Sequence, residues 1–142
     1  MNNKKMWING EVLAQKYLLN KGYKILDTNV KLANAEIDIV ALCPKRVLIK
    51  DLKKEYKTGL LIKSSYLAGK KNTQDTLVFV EVKSRTSTDY GLPQEAVTDA
   101  KQRKIRRCAE TYINRPKFEN MPIRYDIIAI VGEKLEHIKG AF

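Results

Sequence analysis

Thr76-Leu77-Val78-Phe79-Val80-Glu81-Val82-Lys83-Ser84 is the stretch that decides the fold. It is rich in β-branched and aromatic residues, and it reads as a strand. Side chains alternate faces along a strand, so Phe79, Glu81 and Lys83 share one face and Val78, Val80 and Val82 the other. A carboxylate among such residues sits beside a core. Burying it unpaired costs several kcal/mol, roughly, so it needs a partner or a metal.

The preceding apolar run, Glu36-Ile37-Asp38-Ile39-Val40-Ala41-Leu42, is a second strand of the same kind. Glu36 and Asp38 share a face, with Ile37, Ile39 and Ala41 opposite. If the two strands are neighbours, Asp38, Glu81 and Lys83 meet at one point. Carboxylate oxygens suit hard cations such as Mg²⁺ or Mn²⁺. A lysine adds a compact positive charge that orients a water or steadies a phosphorane-like charge. These three groups are the minimum for metal-assisted phosphodiester hydrolysis. A Glu81–Lys83 ion pair on a half-exposed strand is the structural alternative, and Glu-x-Lys alone does not decide between them.

The remaining elements enclose these strands. The apolar spacing predicts a helix over 7–21, with Gly22 as its stop. Residues 23–30 read as a strand. After the break at Gly91-Leu92-Pro93, Thr98 caps a helix from Asp99 to about Asn114. Its stripe is Ile105, Cys108, Ala109, Tyr112 and Ile113, and Pro116 follows its end. Strands are expected at 123–131 and 134–138. The order is α-β-β-β-α-β with a short last strand, a mixed α/β domain spanning 1–142 with helices flanking a central sheet. Residues 44–75 interrupt the pattern as a basic insertion. They carry nine Lys or Arg against three Asp or Glu, as either a hairpin arm or a basic loop.

Composition narrows the function. The 142 residues carry a net charge of +11 and a pI near 9.7. Such an excess points to a polyanion, nucleic acid first and an acidic membrane surface second. There is no apolar run of membrane-span length and no signal-peptide core at the N-terminus, so a cytoplasmic protein without membrane attachment is expected. Cys43 and Cys108 are well separated, which fits a reduced compartment and small core residues. With one histidine, His137, a usual zinc site is excluded. Nucleotide-cradling glycine loops and a Gly-x-Ser-x-Gly elbow are absent.

The helix face Lys101-Gln102-Arg103-Lys104-Ile105-Arg106-Arg107 is the main candidate for phosphate contact, as is Arg85. A solvated helix face is the alternative. Tyr56 and Tyr66 could stack on bases, although packing within the insertion is the simpler expectation. Trp7 is expected to anchor the first helix, Asp126 to have a structural partner at a strand end, and His137 to be structural.

Gly10-Glu11, Tyr17-Leu18, Gly22-Tyr23, Glu36-Ile37-Asp38-Ile39-Val40-Ala41, Leu77 to Arg85, Glu95-Ala96-Val97, Lys101-Gln102, Arg124-Tyr125-Asp126, His137-Ile138 and Ala141-Phe142 together carry a wider likeness. In this order the chain resembles the PD-(D/E)xK nuclease superfamily, and more closely the YraN family of endonuclease-like bacterial proteins. The resemblance implies a restriction-endonuclease-like core. It also implies a Mg²⁺- or Mn²⁺-dependent DNA endonuclease, with duplex or branched DNA as substrate in repair or recombination. Asp38 and Glu81 would hold the metal, Lys83 would be the catalytic lysine, Glu11 would add a carboxylate as in resolvase-like relatives, and Gln102 would help place substrate. A DNA-binding scaffold with weak or no hydrolysis is the alternative. A homodimer suits cleavage of two strands, but no residue specifies an interface. Two departures stand out. Ala35 replaces a usual Gly before Glu-Ile-Asp, which questions the local turn, and 44–75 replaces a short loop.

Overall fold

The computed structural model describes residues 3–45, 74–87, 89 and 91–142, with side chains from Gly10 onward. Most of the basic insertion, with Tyr56 and Tyr66, and the side chain of Trp7 lie outside the described residues. Five strands form one mixed sheet in the order β1 (Lys24–Leu32), β2 (Ala35–Cys43), β3 (Thr76–Arg85), β4 (Ile123–Val131), β5 (Lys134–Ile138). The pairs β1–β2, β2–β3 and β4–β5 are antiparallel, and β3–β4 is parallel. A parallel pair needs a crossover, and α2 (Asp99–Ile113) supplies it.

β3 is the central strand and is buried from Thr76 to Val82. That explains its nearly unbroken apolar sequence. On one face α1 (Asn3–Asn20) brings Ala14 and Leu18 into a cluster with Ile39, Ala41, Val78, Val80 and Val82. On the other, Ile105, Cys108, Ala109 and Tyr112 of α2 pack with Val40, Leu77 and Phe79. The result is a helix–sheet–helix sandwich, a restriction-endonuclease-like α/β core. Both cysteines are buried in it. Among the described residues no helix is long and apolar enough to cross a membrane.

Local chemistry sets the ends of the elements. Gly22, at φ 89°, closes α1 with Tyr23 N–H donating to Leu18 O and Gly22 N–H to Leu19 O, the paired bonds of a left-handed helix stop. Thr98 Oγ1 accepts from the Lys101 N–H at 3.3 Å and caps α2.

Four expectations change. α1 starts at Asn3, and β1 runs on to Leu32. The β1–β2 turn falls on Ala33 and Asn34, both left-handed at φ 52° and 56°, as a two-residue hairpin turn requires. Ala35 therefore already belongs to β2, and the position that would favour glycine is Ala33. Ile37 joins the cluster under α2, while Ile39 and Ala41 join the one under α1. The alternation of β2 thus breaks at Asp38.

Candidate active site

The β2–β3 ladder runs from Cys43–Thr76 to Ile39–Val80 and ends there. One step beyond, Asp38 and Glu81 would face each other. Like charges opposite one another are unfavourable in a sheet, and a different bond takes over: the Val82 N–H donates to Asp38 Oδ2 at 2.7 Å.

Glu81 is 3% exposed and is one of three buried polar residues among those described. Its Oε1 meets Lys83 Nζ at 3.1 Å from the same strand face and Lys101 Nζ at 3.4 Å from α2. Its Oε2 is buried without a hydrogen-bond partner. Asp38 is pushed up to about 7. Burial is the main cause, followed by the charge of Glu81; the Val82 N–H opposes the rise, Glu11 adds to it and Lys101 counters it.

Glu11 reaches this neighbourhood because α1 lies close over β3. A Cβ on Gly10 would stand 3.0 Å from Ser84 Cβ and 3.4 Å from Ser84 Oγ. The absence of a side chain at Gly10 lets the helix settle there and carries Glu11 toward Asp38.

No group of three His, Cys, Asp or Glu able to hold a metal by itself occurs among the described residues. Mg²⁺ keeps several waters and is usually held through one or two carboxylates. The Asp38–Glu81 pair fits that demand, since Glu81 is buried, Asp38 is partly buried, their charges repel each other and Glu81 Oε2 is left without a hydrogen-bond partner. The two carboxylates could thus hold a hydrated cation, with the Lys83 ammonium beside it available to a phosphate.

The basic helix divides into several roles. Lys101 points to Glu81. Gln102 Nε2 donates to Val97 O at 3.2 Å and ties α2 to the preceding loop. The Arg106 guanidinium lies 4.8 Å from the Tyr125 ring centre and 5.4 Å from that of Phe142. Arg103, Lys104 and Arg107 are exposed. Arg85 Nη1 donates to Gly91 O at 3.2 Å. A groove of about 540 Å³ opens beside the site, lined by residues 31–36 of the β1–β2 hairpin with Lys101 and Lys104.

The place of Lys101 at Glu81 escaped the sequence, whereas Asp126 and His137 have the structural roles expected of them. Lys101 stands four residues before Ile105, on the core-facing stripe of α2, which was the available signal for its place at Glu81. Asp126 is fully buried and gathers Arg124 Nε at 2.8 Å, Arg124 Nη2 at 2.7 Å, His137 Nε2 at 2.7 Å and the Gly140 N–H at 3.0 Å. Arg124 Nη2 also donates to Tyr23 Oη at 2.8 Å. Burial raises the Asp126 carboxyl, but the His137 and Arg124 bonds outweigh it and hold the group below its ordinary range. This network joins the start of β1 to β4, β5 and the C-terminal segment.

The chain is similar in sequence to several proteins over its whole length. A UPF0102 protein of Clostridioides difficile is 35% identical over 144 residues, covering all of both chains. One from Caldanaerobacter subterraneus is 37% identical over 149 residues, covering all of this chain and 98% of its own. One from Thermodesulfovibrio yellowstonii is 38% identical over 133 residues, covering 94% of this chain and 91% of its own. The model of the uncharacterised protein family UPF0102 matches residues 10–130, a span that holds Glu11, Asp38, Glu81, Lys83 and Lys101. With that match and full-length relatives of this identity, the chain belongs to the UPF0102 family, the YraN family expected from its motifs.

Proposed function

We propose that this protein is a divalent-metal-dependent endonuclease acting on DNA, with Asp38 and Glu81 as the metal-holding carboxylates. The observation that carries the reading is Glu81, a buried carboxylate with one oxygen on Lys83 and the other unpartnered, beside an Asp38 whose charge is disfavoured by the same burial. Mg²⁺ or Mn²⁺, when bound, supplies positive charge against the scissile phosphate and acidifies a water. The Val82 N–H fixes one Asp38 oxygen and leaves the other to face the site. Lys83 presents its ammonium where an attacking water or a phosphate oxygen must sit, holding the first or neutralising the second. Glu11 contributes negative charge from α1. Exposed Arg103, Lys104 and Arg107 supply backbone contacts that carry no sequence information.

A second reading is a DNA-binding scaffold. It is favoured by the two ammonium groups on Glu81 Oε1, an arrangement that neutralises the carboxylate without a metal. Cleavage of single-stranded, duplex, flapped and four-way-junction DNA at low salt with Mg²⁺ or Mn²⁺ separates the readings. The nuclease predicts product that falls about 10²–10³-fold in Lys83→Ala, on the scale of losing one transition-state charge contact, while DNA binding persists. Binding with no product in either protein supports the scaffold.

A further inference from the structure

We propose that Lys101 is a switchable placeholder cation: it neutralises Glu81 in the free protein and moves to a strand phosphate in the adjoining groove when nucleic acid binds, opening Glu81 to the metal. The inference rests on the endonuclease reading and adds an order to it, with nucleic acid and metal binding cooperatively.

Four observations support it. Lys101 has two addresses, because its Nζ lies 3.4 Å from Glu81 Oε1 and the same side chain lines the groove with Lys31 and Lys104. The contact is the looser of the two on that oxygen, since Lys83 holds it at 3.1 Å. The Lys101 side chain is 34% exposed, against 19% for Lys83, so it has room to turn. Its charge also reaches Asp38, lowering that group against the pull of burial and Glu81. One ammonium therefore stabilises both metal-holding carboxylates while the metal is away.

The groove suits a phosphate strand. Its lining carries Lys31, Lys101 and Lys104 against one acidic residue, Glu36, beside the small residues Ala33, Asn34 and Ala35. A phosphate there offers Lys101 a full negative charge in exchange for its share of Glu81. Departure of Lys101 leaves Glu81 with Lys83 alone, a better cation site. By reciprocity, metal on Glu81 releases Lys101 to the strand, so each ligand raises the affinity of the other by one factor.

The test is Mn²⁺ affinity, read from the electron paramagnetic resonance signal of free Mn²⁺. It is measured with and without a phosphorothioate duplex, which keeps the phosphate charge and resists hydrolysis. In wild type the duplex is expected to tighten Mn²⁺ binding by about 5-fold or more, the lower end of ordinary coupling. Lys101→Gln is expected to bind Mn²⁺ more tightly than wild type without DNA and to gain little further from the duplex. Lys104→Gln, which lines the groove without touching Glu81, is expected to weaken duplex binding and leave DNA-free Mn²⁺ affinity unchanged. Undiminished coupling in Lys101→Gln, or a DNA-free affinity no tighter than wild type, overturns the switch and leaves the endonuclease reading standing. Absence of Mn²⁺ binding in every protein, with and without duplex, overturns both.

Discussion

Val82 and Asp38 are joined across β2 and β3 by a 2.7 Å bond from a backbone N–H to a carboxylate oxygen, at the point where the regular ladder has ended. The bond replaces a sheet contact by a side-chain contact. The site exists because the sheet stops pairing there.

The cost of that placement is measurable. Asp38 is pushed up to about 7 from 3.8, chiefly by burial and then by Glu81. A raised carboxyl holds its proton more tightly folded than unfolded, so its contribution is present below the unfolded value and is lost as pH rises through about 7. Asp38→Asn keeps an acceptor for the Val82 N–H and removes the charge. In metal-free buffer it is expected to be more stable than wild type at pH 8, by on the order of 1–3 kcal/mol. The gap closes toward pH 4. Urea denaturation at both pH values checks this, and equal stability at pH 8 contradicts it.

Asp126 has the opposite sign. His137 and Arg124 hold it below the ordinary carboxylate range despite burial, so its stabilisation is present at neutral pH and lost as pH falls through that range. Asp126→Ala leaves Arg124 without its partner, and breaking a buried pair this way costs about 3–5 kcal/mol. Thermal unfolding at pH 7 is expected to show a large drop. A change near zero contradicts the network as a structural tie.

Ala33 is left-handed at φ 52° in the β1–β2 turn. That conformation costs a residue with a Cβ about 1–2 kcal/mol, partly offset by the greater freedom of glycine in the unfolded chain. Ala33→Gly is expected to stabilise the protein by about 0.5–1 kcal/mol. Lower stability in urea denaturation contradicts the turn assignment.

Gly10 tests the close approach of α1. Gly10→Ala places a methyl 3.0 Å from Ser84 Cβ, an atom fixed to the β3 backbone that cannot rotate away. Overpacking of this kind costs about 1–3 kcal/mol, against roughly 0.5–1 kcal/mol gained in helix propensity. Net destabilisation is expected in urea denaturation. Net stabilisation shows that the helix can lift from β3 at no cost.

Much of this was legible in residues that conflict with their surroundings. Glu81 stands out because β3 is central and apolar from Leu77 to Val80 and again at Val82, and Asp38 because it interrupts Ile37 and Ile39. Thr98 and the stripe from Ile105 to Tyr112 predicted α2 nearly to the residue. Other features depended on partners distant in the chain. Lys101 was masked by the charge density around it, and its spacing from Ile105 and the burial of Glu81 distinguish it from Arg103 or Lys104. Arg106 looked like its basic neighbours, yet Tyr125 and Phe142 come from β4 and the C-terminal segment. Ala33 defied its turn chemistry, since neither a β-branched run nor a glycine marked the left-handed position. The break of alternation at Ile37 arises from the end of the β2–β3 ladder, which is a tertiary property.

Glu81 and Asp38 are proposed as the carboxylates of a metal-dependent hydrolytic site. Its most direct test is cleavage of the DNA panel with Mg²⁺ by Glu81→Gln beside wild type, with DNA binding measured on the same preparations. Metal-dependent product is expected from wild type, with a fall of about 10²–10³-fold in Glu81→Gln and duplex affinity within a few-fold of wild type. Equal cleavage by both proteins would contradict it.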